Sequence, residues 1–173
     1  IEIDKMKADG AEVIVFYMHW GDEYALEPNE EQTYMANYLA SVGVDIIFGT
    51  HPHSIQPIDV ITTESGKEVP VIYSLGNFVS AQSEKHLLIG GMANVTFTKN
   101  HLTGEVTVSK PQLDIAVTHY GAGYSGVKIY RLADYTSSLA SAHAKSGMSL
   151  DYIYEHIRAV IGDEYLIDEY KSK

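Results

Sequence analysis

The chain has 173 residues, of which 45% are hydrophobic and 20% charged, proportions that are ordinary for one globular domain with a substantial core. Its formal net charge of -11 argues against a nucleic-acid partner, because phosphate binding needs a concentrated basic face. The absence of cysteine excludes disulfides and thiolate metal sites in this sequence. Any metal would therefore be held by His, Asp, Glu or Asn, which suits Mn, Fe or Zn.

The predicted elements begin with a βαβ unit. Residues 12–18 form an almost continuous apolar run, which predicts a strand buried on both faces. A helix is predicted over residues 27–43, with Pro28 in its first turn and Gly43 at its end, and a second buried strand over residues 44–49. Since such units are almost always parallel and right-handed, both strands should end at the same edge of the sheet, where ligands of open α/β sheets bind.

Antiparallel strands and helices are predicted to follow. Residues 58–75 predict a hairpin with its turn at Ser65-Gly66. The further predicted strands are 87–98, 102–109, 114–120 and 127–132, and the predicted helices are 132–147 and 149–162. The fold class is therefore predicted to be α/β, of the α+β type with a mixed sheet, in one unit over residues 1–173.

Three of the eight histidines lie at the predicted sheet edge. His19 follows the first strand, and His51 and His53 follow the second, within GTHPH. Imidazole is a common metal ligand, and alternate residues of an extended segment project to the same side. Pro52 disfavours helix at His51, so the pair is expected in extended form. We predict these three histidines as metal ligands, and a polar turn without metal is the alternative.

The residues alone do not complete a metal centre. Two-metal sites usually share a bridging carboxylate, for which Asp22 and Glu23 are nearby, whereas Asp45 lies at the opposite end of its predicted strand from His51. Asn77, in the segment SLGNF, could reach a metal, a substrate oxygen or its own backbone. The sequence therefore predicts half of a site.

Together, the segments HWGDEY, GVDIIFGTHPHSIQP and VIYSLGNF resemble the bacterial capsule synthesis family typified by CapA. The order, spacing and flanking strands of these motifs match over about residues 8–83, and the similarity is looser beyond them. The family is associated with poly-γ-glutamate production, and its fold resembles that of the calcineurin-like metallophosphoesterases. The resemblance implies that this chain forms part of a four-layer αββα sandwich.

The resemblance also implies a ligand set. His19 matches a single histidine ligand that follows a core strand, and His51 and His53 match paired ligands, one for each of two divalent ions (Mn, Fe or Zn). Thr50 departs from the family, which more often has a histidine or a similar residue there. The neighbouring histidine pair is intact.

Four other residues match positions around the family's site. Trp20, Glu23 and Tyr24 match the loop that forms its wall, and Asn77 matches a position beside it. The resemblance therefore implies these four as substrate-binding residues. It assigns no catalytic residue within this sequence.

Several family motifs have no counterpart in this sequence, namely a Gly-Asp pair, an acidic Asn-Leu-Glu stretch and an Asn-Asn-His stretch. We therefore expect the chain to be the C-terminal portion of a longer capsule biosynthesis protein, with only the histidine half of its site. Such a chain is expected to be inactive as a hydrolase by itself. The alternative is a non-catalytic cell-surface binding or assembly module with structural histidines.

The resemblance also implies partners and a location. The implied partners are the capsule synthesis machinery, or an anionic polymer or phosphate ester as substrate, and the implied location is the extracellular face of the cell membrane or the cell surface. Exposed sheet edges and apolar faces are prone to pair with other chains, so self-association is a further expectation.

Overall fold

A computed structural model describes residues 2–171. In chain order, its helices and strands are α1 (Glu2–Ala8), β1 (Val15–His19), α2 (Glu30–Ser41), β2 (Ile46–Thr50), β3 (Ile58–Thr62), β4 (Glu68–Ile72), β5 (Ile89–Asn94), β6 (Phe97–Lys99), β7 (Val106–Val108), β8 (Gln112–His119), β9 (Lys128–Arg131), α3 (Ser137–Ala142), α4 (Leu150–Val160) and α5 (Asp168–Lys171). The predicted mixed α/β class is confirmed.

The predicted βαβ unit is confirmed, and it brings two strand ends to one edge. β1 and β2 are parallel neighbours in register, so that His19 lies opposite Thr50. The connecting helix begins at a capping box, in which the side chain of Asn29 accepts from the backbone N–H of Gln32 and the side chain of Gln32 accepts from that of Asn29. The hairpin of β3 and β4 completes a four-stranded sheet in the order β1-β2-β4-β3.

The prediction that the first strand is buried on both faces is wrong. β1 is an edge strand, and Val15 and Tyr17 on one of its faces are 43% and 67% exposed. Phe16 and Met18, on the other face, pack against the core below α2. A continuous apolar run does not distinguish a central strand from an edge strand, because the cover of each face is set by tertiary structure.

The predicted strand over residues 87–98 is also wrong in its extent. It is divided between β5, which pairs with β8 in the three-stranded sheet β5-β8-β9, and β6, which pairs with β7 in a separate two-stranded ribbon. The chain leaves the larger sheet at Thr96, whose backbone N–H donates to Ser109 Oγ at 2.9 Å.

The first of the two predicted C-terminal helices is shorter than expected. A 3-10 turn occupies residues 132–134, and the α-helix extends only from Ser137 to Ala142. It ends at His143, whose buried ring bonds the carbonyl oxygen of Thr118 in β8 and the backbone N–H of Lys145. The second predicted helix is confirmed as α4, capped by Ser149 as expected.

Two apolar cores hold these elements together. The first lies between the four-stranded sheet and helices α1 and α2, and its residues include Ile3, Ala36, Leu39, Ile47 and Val71. The second joins the other face of that sheet to the three-stranded sheet and to α3 and α4, and its residues include Ile58, Ile72, Ile89, Ile115, Ala140, Ile153 and Ile157. This distribution agrees with the helix–sheet–sheet–helix order implied by the family resemblance. Among residues 2–171, no helix is long and apolar enough to cross a membrane.

Candidate metal centre

The three histidines predicted as ligands lie together at the edge of the four-stranded sheet. His19 is the last residue of β1, and His51 directly follows β2. The ring centroids of His19 and His51 are 4.5 Å apart, and those of His51 and His53 are 6.0 Å apart. We call His19, His51 and His53 the histidine site.

The histidine pair is not extended, so that expectation is wrong. The φ angles of His51 and His53 are 102° and 63°, in the left-handed region that L residues rarely adopt. The turn is fixed by its neighbours, because Tyr24 N donates to Pro52 O at 2.7 Å and Ser54 Oγ donates to Ala25 O at 2.6 Å. Such backbone strain costs about 1–3 kcal/mol per residue and is common at functional sites.

The hydrogen bonds of Asn77 fix the tautomer of His53. The amide nitrogen of Asn77 donates to Gln82 Oε1 at 2.7 Å and to Leu87 O at 3.0 Å, so its Oδ1 faces His53 Nδ1 at 2.9 Å as an acceptor. His53 therefore carries its proton on Nδ1, and the lone pair of Nε2 is available to a ligand. Metal-binding histidines commonly have such a partner on their second nitrogen.

Glu23 and Tyr24 are placed around the same imidazole. Glu23 Oε1 lies 3.8 Å from His53 Nε2, and both side chains are partly exposed. The ring of Tyr24 stacks on His53 with a centroid distance of 5.9 Å, and its hydroxyl lies 3.5 Å from Gln82 Nε2. Both residues are therefore within reach of a molecule bound at His53.

Trp20 has a largely structural environment. It is 7% exposed, and its indole N–H donates to the carbonyl oxygen of Tyr73 at 2.9 Å, which ties the end of β1 to the residue after β4. It also lines a recess of about 330 Å³ with His19, His51 and Glu31. The recess gives one open side to the histidine site.

Two buried glutamines that the sequence analysis missed hold the loop of residues 20–28 in place. Gln56 Nε2 donates to the carbonyl oxygens of Ala25 and Glu27 at 3.1 and 3.0 Å, and Gln32 Nε2 donates to Gln56 Oε1 at 2.9 Å. Both glutamines are fully buried. The capping position of Gln32 was the one available signal, since no local pattern distinguishes a buried glutamine from an exposed one.

Of the carboxylates considered as bridging ligands, Glu23 lies beside His53, whereas Asp22 and Asp45 are engaged elsewhere. Asp22 Oδ2 accepts from Asn29 Nδ2 at 2.9 Å. Asp45 accepts from the backbone N–H of Ile14 at 2.7 Å and from Lys67 Nζ at 2.6 Å, at the opposite end of the strand from the histidines. Within residues 2–171, no three His, Cys, Asp or Glu side chains form a group that could hold a metal ion. The chemistry of the imidazole donors suits a divalent metal, but the described residues do not bring together a full set of ligands for one.

The residues of the histidine site lie in a part of the chain that is similar to known proteins. Residues 1–82 match the family described as bacterial capsule synthesis protein PGA_cap. The "PGA biosynthesis protein CapA" of Bacillus subtilis (strain 168) is 42% identical over 72 residues, which are 42% of this chain and 18% of the relative. The "Capsule biosynthesis protein CapA" of Bacillus anthracis is 41% identical over 76 residues, which are 44% of this chain and 17% of the relative.

The aligned part of the chain spans less than a fifth of the length of each of these relatives. The histidine site and the four residues predicted around it all lie within the 82 matched residues. Residues 1–82, a little under half of the chain, are therefore similar to the bacterial capsule synthesis protein family.

Proposed function

We propose that this chain contributes histidine ligands to a divalent metal centre in a protein of capsule biosynthesis. The observation that carries the proposal is the state of His53. Its Nδ1–H is held by Asn77, while its Nε2 makes no hydrogen bond within residues 2–171 and lies 3.8 Å from Glu23 Oε1. Histidines serving only as polar turn residues need neither a fixed tautomer nor the strained backbone of this turn.

The residues have distinct tasks in this proposal. His19, His51 and His53 hold the ion, with Asn77 orienting the last of them, and Tyr24 lines the opening. A divalent ion held there would supply Lewis-acid chemistry toward an oxygen of an anionic substrate, offsetting the acidic charge of the chain. Because the described residues provide only part of a two-ion centre, we infer that the chain by itself does not catalyse hydrolysis.

The proposed substrates and partners follow from the family. The name of the Bacillus subtilis relative refers to PGA biosynthesis. We propose that this chain likewise serves a protein that acts on an anionic polymer or a phosphate ester, together with capsule synthesis machinery. The proposed location is the cell surface or the extracellular face of the membrane.

One observation favours a second function, that of a non-catalytic binding or assembly module with structural histidines. No three potential ligand groups within the described part of the chain form a metal-binding cluster. In that case the histidine rings would only pack and form hydrogen bonds within a surface module. Added metal would then change neither the free energy of unfolding of the chain nor the NMR signals of the imidazole nitrogens.

Nitrogen NMR of the imidazole rings during a Zn²⁺ titration distinguishes the two functions. We expect a saturable shift of His53 Nε2, with smaller changes at His53 Nδ1, because Asn77 already holds that nitrogen. His101 lies in an exposed turn and is the internal control. Equal shifts at His101 and His53, or no saturable shift at His53, would favour the structural role.

An aryl phosphate assay then tests the absence of catalysis. We expect the 173-residue chain to release no phosphate above the rate of free metal ions, with either Zn²⁺ or Mn²⁺ present. Metal-dependent turnover that disappears in His51→Ala/His53→Ala would show that the chain holds a complete centre.

A further inference from the structure

The proton of the His53 ring has two competing acceptors. Asn77 Oδ1 lies 2.9 Å from Nδ1, and Glu23 Oε1 lies 3.8 Å from Nε2. A neutral imidazole carries a single N–H, so a proton held toward Asn77 leaves Nε2 open, whereas a proton drawn toward Glu23 occupies that nitrogen. A hydrogen bond to a carboxylate is stronger than one to a neutral amide. The position of the Asn77 amide therefore decides whether Nε2 is open to a ligand.

Two carbonyl groups hold the amide of Asn77. Its Nδ2 donates to Leu87 O at 3.0 Å and to Gln82 Oε1 at 2.7 Å. A carbonyl oxygen can only accept, so both bonds keep the nitrogen of Asn77 away from His53 and its oxygen toward it. The bond to Leu87 uses the backbone and is independent of the side chain there. The shorter bond depends on the side chain of Gln82.

The side chain of Gln82 is held by hydrogen bonds rather than by apolar packing. Ser80 Oγ donates to Gln82 Oε1 at 3.3 Å and accepts from the backbone N–H of Gln82 at 3.1 Å. The backbone N–H of Ser80 donates to Thr118 Oγ1 at 3.2 Å, which ties the segment to the end of β8. The preceding Phe78 and Val79 are 60% and 55% exposed. Gln82 is therefore positioned by a polar network that begins at the second sheet.

Gln82 also contacts the residue on the face of the His53 ring. Its Nε2 lies 3.5 Å from the hydroxyl of Tyr24, a long hydrogen bond, and the ring of Tyr24 stacks on His53. One amide group thus bonds both the neighbour at the edge of the imidazole and the neighbour on its face. Within residues 2–171, no other side chain bonds to both Asn77 and Tyr24.

We propose that Gln82 is a positioning residue of the histidine site, which keeps the proton of His53 on Nδ1 through Asn77 and so leaves Nε2 open beside Glu23. Gln82 itself is not a ligand. The inference rests on the proposed function in one respect, since an open Nε2 matters to the protein if His53 binds a metal ion. The place of the proton does not depend on metal and can be measured without it.

The test is nitrogen NMR of His53 in the metal-free chain, in EDTA at about pH 8, above the ordinary titration range of imidazole. The wild type should show a protonated Nδ1 and an unprotonated Nε2. Gln82→Ala should move part of the proton to Nε2, so the two signals should shift in opposite directions. Gln82→Glu should restore the wild-type signals, because a carboxylate oxygen still accepts from Asn77.

Two further variants separate positioning from a general effect on the fold. Gln112→Ala removes the same side-chain amide at the start of β8, and it should leave both His53 signals unchanged. In an Asn77→Ala background, Gln82→Ala should cause no additional shift, because Gln82 acts on the proton through Asn77. Unchanged His53 signals in Gln82→Ala would overturn the proposal, as would a further shift in the double variant.

Zn²⁺ binding distinguishes a failure of this inference from a failure of the metal centre. Gln82→Ala should weaken Zn²⁺ binding about threefold, less than Asn77→Ala, because Leu87 O still holds the amide of Asn77. A changed tautomer in a chain that binds no Zn²⁺ would support the role of Gln82 and overturn the metal centre. Normal Zn²⁺ binding with an unchanged tautomer in Gln82→Ala would overturn this inference alone.

Discussion

The strained turn at His51 leads to a prediction that reverses the usual effect of glycine. In an ordinary position, glycine is less stable than alanine by about 0.5–1 kcal/mol because it loses more backbone entropy on folding. At His51 the φ angle is 102°, which glycine adopts freely and alanine does not. We therefore expect His51→Gly to be more stable than His51→Ala.

The magnitude follows from two opposing terms. The left-handed backbone costs alanine about 1–3 kcal/mol, and the entropy of glycine offsets about 0.5–1 kcal/mol of this difference. The expected net advantage of glycine is therefore about 1 kcal/mol. In a chain of this length, that corresponds to a melting temperature about 2–4 °C higher for His51→Gly than for His51→Ala.

The assay is thermal unfolding of both variants in EDTA, followed by circular dichroism. The same pair of substitutions at His101, which is exposed and has no positive φ, supplies the control, and there alanine should be equal or better. A glycine variant at position 51 that is no more stable than the alanine variant would refute the left-handed turn. Confirmation would show that this sequence retains a histidine where stability favours glycine.

Three further predictions concern other parts of the chain. Asn77→Ala should weaken Zn²⁺ binding about tenfold, because the Nδ1–H of His53 would lose the acceptor that fixes its tautomer. Competition with a chromogenic chelator measures the affinity, and an unchanged affinity would contradict this role of Asn77. Burial, and to a smaller extent the nearby His86, lowers the pKa of His156 to about 4. Because the folded state resists protonation of this ring, the free energy of unfolding should fall as the pH drops from 6.5 to 4. His156→Gln should reduce this fall by about 2 kcal/mol, discounted for partial exposure, and an identical pH profile in both proteins would argue against it. The open edge and exposed face of β1 should cause concentration-dependent self-association, measured by sedimentation velocity, and Tyr17→Lys should reduce it. A wild-type chain that stays monomeric at high concentration would contradict this prediction.

The elements around the histidine site could be predicted because their signals are local. The apolar runs before His19 and His51 and the helix between them are each visible within a few residues of sequence. Parallel pairing of the two strands then places their ends together. The prediction that the three imidazoles lie close together at this edge of the sheet is therefore confirmed.

Features that depend on distant parts of the chain could not be predicted. The left-handed conformation of His51 results from contacts with the loop of residues 20–28, and the exposure of Tyr17 results from the edge position of β1. The contact of Asn77 with His53 spans 24 residues, and the segment 87–98 is divided because its two halves find different partners, β8 and β7. None of these arrangements leaves a periodic or compositional signal.

Metal content tests the role of the histidine site most directly. The 173-residue chain would be dialysed against Zn²⁺ or Mn²⁺, freed of unbound ions and analysed by mass spectrometry, beside His51→Ala/His53→Ala and a His101→Ala control. We predict about one ion per chain in the wild type and in the His101 control, and its loss in the double variant, because binding needs the paired imidazoles. Equal metal content in all three proteins, or none in the wild type, would contradict the assignment and make the histidines structural.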